Sequence, residues 1–189
     1  MITSLSLPTK ATAQAHSLLI VVLTSLLVGV AGAVAFPVSN SGVPLVIGPQ
    51  VLLLCSIALG PKQALLMSLF YLLEGALGCP FFSYGRSGIV MLIGQSGGYL
   101  KGYPISSYVA ATIWQQTSGT LFYRAGSALL MGSSLITACG CCYLAMLIGW
   151  QQALVQGIIP FIITDIYKVV GLAALLEGAL RSKEYCLKK

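Results

Sequence analysis

The stretch Ser17-Leu18-Leu19-Ile20-Val21-Val22-Leu23-Thr24-Ser25-Leu26-Leu27-Val28-Gly29-Val30-Ala31-Gly32-Ala33-Val34-Ala35-Phe36 runs without a charge and stops at Pro37. A helix needs about 20 predominantly apolar residues to cross the hydrocarbon core of a bilayer, and this run has that length. The chain before it is polar to about Gln14, so the run resembles a secretory signal at first sight. It is too long for a typical signal-peptide core, and we read it as a spanning helix.

The rest of the chain extends that reading. Of 189 residues, 57% are hydrophobic and only 7% charged, against about 25% charged in an ordinary soluble domain. A chain this poor in charge has little to present to water and must be solvated by lipid. The basic residues that give the formal charge of +6 are scattered. They read as loop charges that set topology and give no reason to expect nucleic acid. Cys139 and Cys142 have CxxC spacing, but their surroundings are apolar and the sole histidine, His16, is far away. We read the cysteines as small buried hydrophobes and draw no metal site or disulfide from them.

Six apolar segments follow one another: Ser17–Phe36, Pro44–Leu59, Gln63–Gly78, Tyr99–Trp114, Gly126–Trp150 and Pro160–Leu180. Some fall short of a full span, which implies tilting or a thinner local bilayer. With the N-terminus inside, the inner segments carry Lys10, Lys62, Arg124 and the tail Arg181, Lys183, Lys188 and Lys189. The outer connections at 37–43 and 150–159 carry no charge, and Arg86, with Lys101 just beyond, is the basic exception. This asymmetry follows the positive-inside rule. The expectation is an all-α integral membrane protein of six transmembrane helices with both termini cytoplasmic. Residues 1–16 form a cytoplasmic N-terminal segment and 17–180 a membrane domain with a glycine-rich outer loop at 79–98. Residues 181–189 form a basic cytoplasmic tail.

A few polar residues stand where a bilayer disfavours them. Asp165 and Lys168 lie three apart on one face of the last segment. A charge at a helix centre costs roughly 2.5–3.5 kcal/mol on the insertion scale, less near the interface or when paired. Such residues mark ligand pathways or pair with each other. Pro160 and the outer connections beside them favour a ligand site over a simple ion pair. Glu74 leaves three readings: a protonated carboxyl, a side chain snorkelling to the outer interface, or a wall of the same cavity. The stretch from Tyr84 to Gly102 holds six glycines. Irregular backbone at membrane depth survives only where it is buried in protein or lines water. The stretch therefore reads as a loop folded over a cavity, with Phe81, Phe82, Tyr84 and Tyr99 as pocket lining. Gly94, Gly98 and Gly102 also make small-xxx-small spacing for helix packing. Gly94-Gln95-Ser96-Gly97 matches the G-x-S-G of rhomboid intramembrane proteases, but the sole histidine sits on the opposite side, so the base is missing. No P-loop motif is present, so energy for active transport has to come from a partner or an ion gradient.

Gly94-Gln95-Ser96-Gly97-Gly98-Tyr99-Leu100-Lys101-Gly102-Tyr103 resembles the G-P-T-G-G-Y-L-x-G-F signature of the BioY family, the biotin-binding S component of energy-coupling factor (ECF) transporters. Three further blocks are similar to that family in the expected order: Val43-Pro44 with Leu59-Gly60-Pro61-Lys62, Tyr71 to Phe81, and Pro160-Phe161 followed by Asp165-Ile166-Tyr167-Lys168. The resemblance implies the ECF S-component fold, residence in the cytoplasmic membrane as a multi-pass protein, and biotin as transported ligand with no cofactor. It also implies, as partners besides membrane lipid, a transmembrane scaffold subunit and two ATPases, although some family members act alone. The family's A-x-x-x-A docking motif on the first helix is matched in spacing by Ala31 and Ala35.

The resemblance further implies a site near the outer surface. Asp165 accepts from the ureido N–H groups, and Lys168 or Arg86 pairs with the carboxylate. Tyr84, Tyr99 and Phe81 supply apolar walls, and Gln95, Gly97 and Gly98 complete the biotin-binding set. Two departures stand out. Val46-Ile47-Gly48 replaces an expected T-x-Q, removing a polar contact to the ligand's head, and Gln95-Ser96 replaces Pro-Thr but keeps a hydroxyl. The alternatives weighed are an S component for another vitamin, an intramembrane enzyme and a purely structural subunit. No nucleophile or metal constellation converges for the enzyme.

Overall fold

A computed structural model describes residues 10–37 and 43–159, together with Gly171 and Gly178. The elements in order are helix α1 (Lys10–Ala33), strands β1 (Ala35–Phe36) and β2 (Leu45–Val46), and helices α2 (Gly48–Leu59) and α3 (Pro61–Ala76). After them come a 3-10 turn at Ser83–Gly85 and the helices α4 (Val90–Ile93), α5 (Gly97–Gln116), α6 (Leu121–Ile148) and α7 (Trp150–Gly157).

Helix α1 is apolar on both faces. Val21, Ser25, Val28 and Gly32 are buried at helical spacing, while Leu19, Leu23, Leu27 and Val30 on the other side are exposed. A helix hydrophobic all round belongs in a core or a membrane, and an exposed leucine stripe needs lipid to cover it. Two described stretches are long and apolar enough to cross a bilayer: Gln14–Ala33, of mean hydropathy 2.1, and Leu121–Ile148, of 1.7.

Local sequence explains where the helices break. Gly48-Pro49 opens α2, proline being favoured in a first turn where its missing N–H is not needed. Between α2 and α3 the chain reverses at Gly60, whose φ of +84° favours glycine and whose N–H bonds the Ser56 carbonyl at 3.0 Å. Thr120 caps α6 by accepting from the Tyr123 N–H at 3.4 Å.

Helices α5 and α6 form the centre of the bundle. Gly98 rests on Tyr143 and Cys139, and Gly102 on Cys139 and Ile136. This close approach is the small-residue packing that the spacing predicts. Gly94 takes no part, because it caps α4 instead of lying on α5. Ala31 and Ala35 do not form a helical pair either: α1 ends at Ala33, and Ala35 lies in β1.

Other boundaries differ from those read off the sequence. The second apolar segment opens as strand β2, which pairs antiparallel with β1 (Ala35 with Val46, Phe36 with Leu45), and turns helical only at Gly48. The third runs over 61–76, the fourth starts two residues earlier at Gly97, and the fifth starts at Leu121 behind its threonine cap. The uncharged connection at 150–159 contains a helix, α7, whose Ala153 and Gly157 are buried against α6. The sixth segment, 160–180, lies outside the described residues except for helical Gly171 and Gly178.

The connection between α3 and α4 is a built structure. Its strand-like turn is closed by the Phe82 N–H to the Arg86 carbonyl at 3.0 Å, and Gly88 N–H ties it to the Gly75 carbonyl of α3 at 2.8 Å. Within the turn, Tyr84 takes a left-handed φ of +62°, uncommon for a residue with a side chain.

Candidate functional site

A cavity opens at the end of the bundle that carries the β1–β2 pair and the 77–96 connection. Helical spacing builds its walls. Tyr99 and Tyr103 are four apart on α5, with Leu100 beside them, and Ser133, Ile136 and Thr137 lie three and four apart on α6. Gly32 of α1, the 43–50 segment, Tyr71 of α3 and the two loop serines Ser83 and Ser96 close the rest. Counting the open space at its mouth, the cavity spans about 660 Å³, and its lining is mainly apolar and aromatic with a few polar groups, as in small-molecule sites.

The aromatic residues are fixed by one another. Tyr71 stacks on Tyr103, with ring centres 5.8 Å apart and planes at 22°. Phe82 meets Tyr71 edge-on at 5.8 Å, and the Tyr71 hydroxyl donates to the Phe81 carbonyl at 3.3 Å. On α5, Tyr99 donates its hydroxyl to the Gly157 carbonyl at 2.8 Å, which ties the cavity wall to α7. The Tyr99 ring lies flush on Gly140 of α6, where any side chain would overlap it.

Polar groups are few and neutral. Gln50 is buried; with its amide turned to suit its neighbours, Nε2 donates to the carbonyls of Val46 and Ile47 at 3.2 Å each and Oε1 remains an acceptor. Pro104 has no N–H for the Leu100 carbonyl behind it, so this wall residue lacks its usual helical partner. Among the described residues lining the cavity none is an acid or a base. Such a site fits a mainly apolar molecule with a small, neutral, hydrogen-bonding head.

The family model described as the BioY family matches residues 6–184. This chain belongs to the BioY family. Among its relatives, the probable biotin transporter BioY of Pyrococcus horikoshii is 34% identical over 74% of this chain and 82% of its own length. The biotin transporter BioY of Thermotoga maritima is 30% identical over 69% and 76%. A crystal structure of the S-component for biotin from an ECF-type ABC transporter superposes with a TM-score of 0.79, covering 92% of this chain and 95% of that one at 18% identity. The all-α membrane S-component fold expected from the sequence is the fold observed.

The residues singled out from the BioY resemblance fall in different places. Tyr99 lies in the cavity wall. Gly97 and Gly98 serve packing: Gly97 abuts the Leu92 backbone, and Gly98 abuts Tyr143. Gln95 is exposed, and its neighbour Ser96 lines the cavity in its stead. Phe81 is not in the wall, because its ring fills the space over Gly29 of α1. Tyr84 and Arg86 are exposed on the 77–96 connection, the guanidinium 5.7 Å from the Tyr84 ring centre. Asp165 and Lys168 lie outside the described residues. Glu74 accepts from Ser25 Oγ at 2.9 Å and joins α3 to α1, away from the wall residues.

Sequence reasoning missed Gln50, Tyr71, Tyr103, Ser133 and Thr137. Their signal was spacing: 99 with 103 and 133 with 137 are i, i+4 pairs on two helices that pack together. Gln50 brings an amide into the wall two residues beyond Gly48, in the segment where the BioY pattern would have put one.

Proposed function

We propose that this protein captures biotin at the outer face of the cytoplasmic membrane and serves as the substrate-binding subunit of a vitamin uptake system. The observation that carries this reading is the cavity at one end of an S-component fold, walled by the helix that bears the BioY signature. Relatives across bacteria and archaea bear the name of biotin transporters, which also answers the protease and enzyme readings. The aromatic walls suit the thiophane ring and valeryl chain, and the neutral polar groups suit the ureido head. Asp165 is assigned to the ureido N–H groups and Lys168 to the carboxylate, both from the sequence. Arg86, exposed on the 77–96 connection, is the alternative partner for the carboxylate.

The chain is read as six-spanning and multi-pass, with both termini cytoplasmic. It has no P-loop of its own, so a transmembrane scaffold and two ATPases are the partners proposed for active uptake.

Retention of radiolabelled biotin by the purified, detergent-solubilised protein tests the function. Asp165→Asn or Lys168→Ala is expected to weaken binding at least about tenfold, the scale of one lost charge-assisted hydrogen bond, without loss of membrane insertion. Wild-type affinity in both variants would remove these residues from the site, and no retention by the parent protein would end the biotin reading.

A further inference from the structure

On the helical walls of the cavity, two hydroxyl groups have no partner among the described residues. Tyr103 on α5 and Ser133 on α6 are buried, at 4% and 7% exposure. Among the described residues neither hydroxyl has a hydrogen-bond partner. Their surroundings make this unusual. The other two tyrosines of the wall are committed, Tyr71 to the Phe81 carbonyl and Tyr99 to the Gly157 carbonyl. The other buried helix serines bond back to a carbonyl three or four residues earlier: Ser25 to Val22, Ser56 to Leu52, Ser68 to Leu65, Ser106 to Gly102 and Ser107 to Pro104. Ser133 does not make that bond. Neither oxygen is itself sealed from the cavity, so each is open to a ligand or a water that completes its hydrogen bonding.

We infer that Tyr103 and Ser133 are a specificity pair that donates to the carbonyl oxygen of a urea-like group on the bound ligand. The inference rests on the biotin reading and deepens it. A urea head offers two N–H donors and one strong acceptor oxygen. A carboxylate such as Asp165 only accepts, so it serves the N–H side alone. The oxygen needs O–H or N–H donors; besides the loop serines Ser83 and Ser96, the helical walls offer these two hydroxyls, on α5 and α6. Tyr103 stands one helical turn beyond Tyr99, about 6 Å further along α5 away from the loop end, so the urea head points inward and the ligand's chain toward the mouth. Stacking on Tyr71 holds the Tyr103 ring in place. The signature resembled by this stretch ends in phenylalanine, and the hydroxyl of Tyr103 adds a polar group at that position.

The test compares biotin with 2-iminobiotin, whose urea oxygen is replaced by an imino nitrogen that is protonated at neutral pH and cannot accept. Equilibrium binding at pH 7 to the purified protein is measured for the parent, Tyr103→Phe and Ser133→Ala. The parent is expected to prefer biotin. Each variant is expected to lose about tenfold in biotin affinity while changing little toward iminobiotin, so that the preference shrinks by the same factor. Unchanged biotin affinity in both variants overturns the pair, as does an equal loss toward both ligands, which would mark a structural role. If the parent binds biotin and the variants match it, the function stands and only this pair falls. If the parent binds no biotin, the function falls first and the pair with it.

Discussion

Ser25 of α1 has one hydroxyl hydrogen and two acceptors within reach, the Val22 carbonyl at 2.8 Å and Glu74 Oε1 at 2.9 Å. The other carboxyl oxygen of Glu74 is buried with no partner among the described residues. This contact joins α1 to α3 together with Gln63 Nε2, which donates to Ser17 Oγ at 2.8 Å, and removing it leaves a polar group stranded. Ser25→Ala is expected to destabilise the protein by about 1–3 kcal/mol, the cost of an unmet buried polar group, read as a lower unfolding temperature in detergent. Glu74→Gln is expected to be tolerated or mildly stabilising, because the amide can donate to Ser25 Oγ and brings no charge into the helix pair. A large loss in the glutamine variant would show that the carboxylate itself is needed. Single residues were the least legible level of the sequence. Glu74 stood out as an acid in an apolar run, but its serine partner is 49 positions away, and no local pattern links the two. Tyr99 was legible through its signature. Tyr103, in the same signature, is less legible, because an aromatic residue on an apolar helix reads first as packing.

At the scale of elements, the meeting of α5 with α6 decides the shape of the cavity. Gly140 gives its face to the Tyr99 ring, and Tyr99 in turn holds α7 through Gly157. Gly140→Ala is expected to push Tyr99 out of the wall, at about 1–3 kcal/mol of overpacking strain, with biotin retention falling alongside stability. Gly126 on the same helix has open space where a side chain would go, so Gly126→Ala is expected to be neutral or to gain up to about 1 kcal/mol of helix propensity. Equal behaviour of the two variants in a thermal shift and binding assay would refute the distinction. The helices themselves were legible from apolar runs bounded by glycine and proline. The exceptions share a cause. Helix α7 carries Gln151, Gln152 and Gln156 in a short polar stretch and is helical because Ala153 and Gly157 bury one face against α6. The strands at 35–36 and 45–46 exist only by pairing with each other. Both depend on tertiary contacts, which override local preference.

For the whole molecule, the two ends of the bundle differ, and the difference yields a testable orientation of the cavity in the membrane. Gly32, the 43–50 segment, Ser83, Ser96 and the first turns of α5 all gather at one end. The opposite end holds the Gly60–Pro61 reversal and the turn at 117–120. It also carries Lys62 and Arg124, the latter bonding the Trp114 carbonyl at 2.9 Å and stacking 4.4 Å from that indole's ring centre. Arginine on a tryptophan at a helix end is the kind of anchor that suits a membrane interface. By the positive-inside rule this end is expected to face the cytoplasm and the cavity mouth to face out, with Arg86 and Lys101 as the basic exceptions at the cavity end. Ser87 and Ser118 are both exposed, one at each end. In a variant with its native cysteines replaced, Ser87→Cys is expected to react with a membrane-impermeant maleimide in intact cells. Ser118→Cys is expected to react only after the cells are permeabilised. The reverse pattern would turn the molecule over, direct its cavity to the cytoplasm, and make outward capture of a vitamin physically impossible by this route.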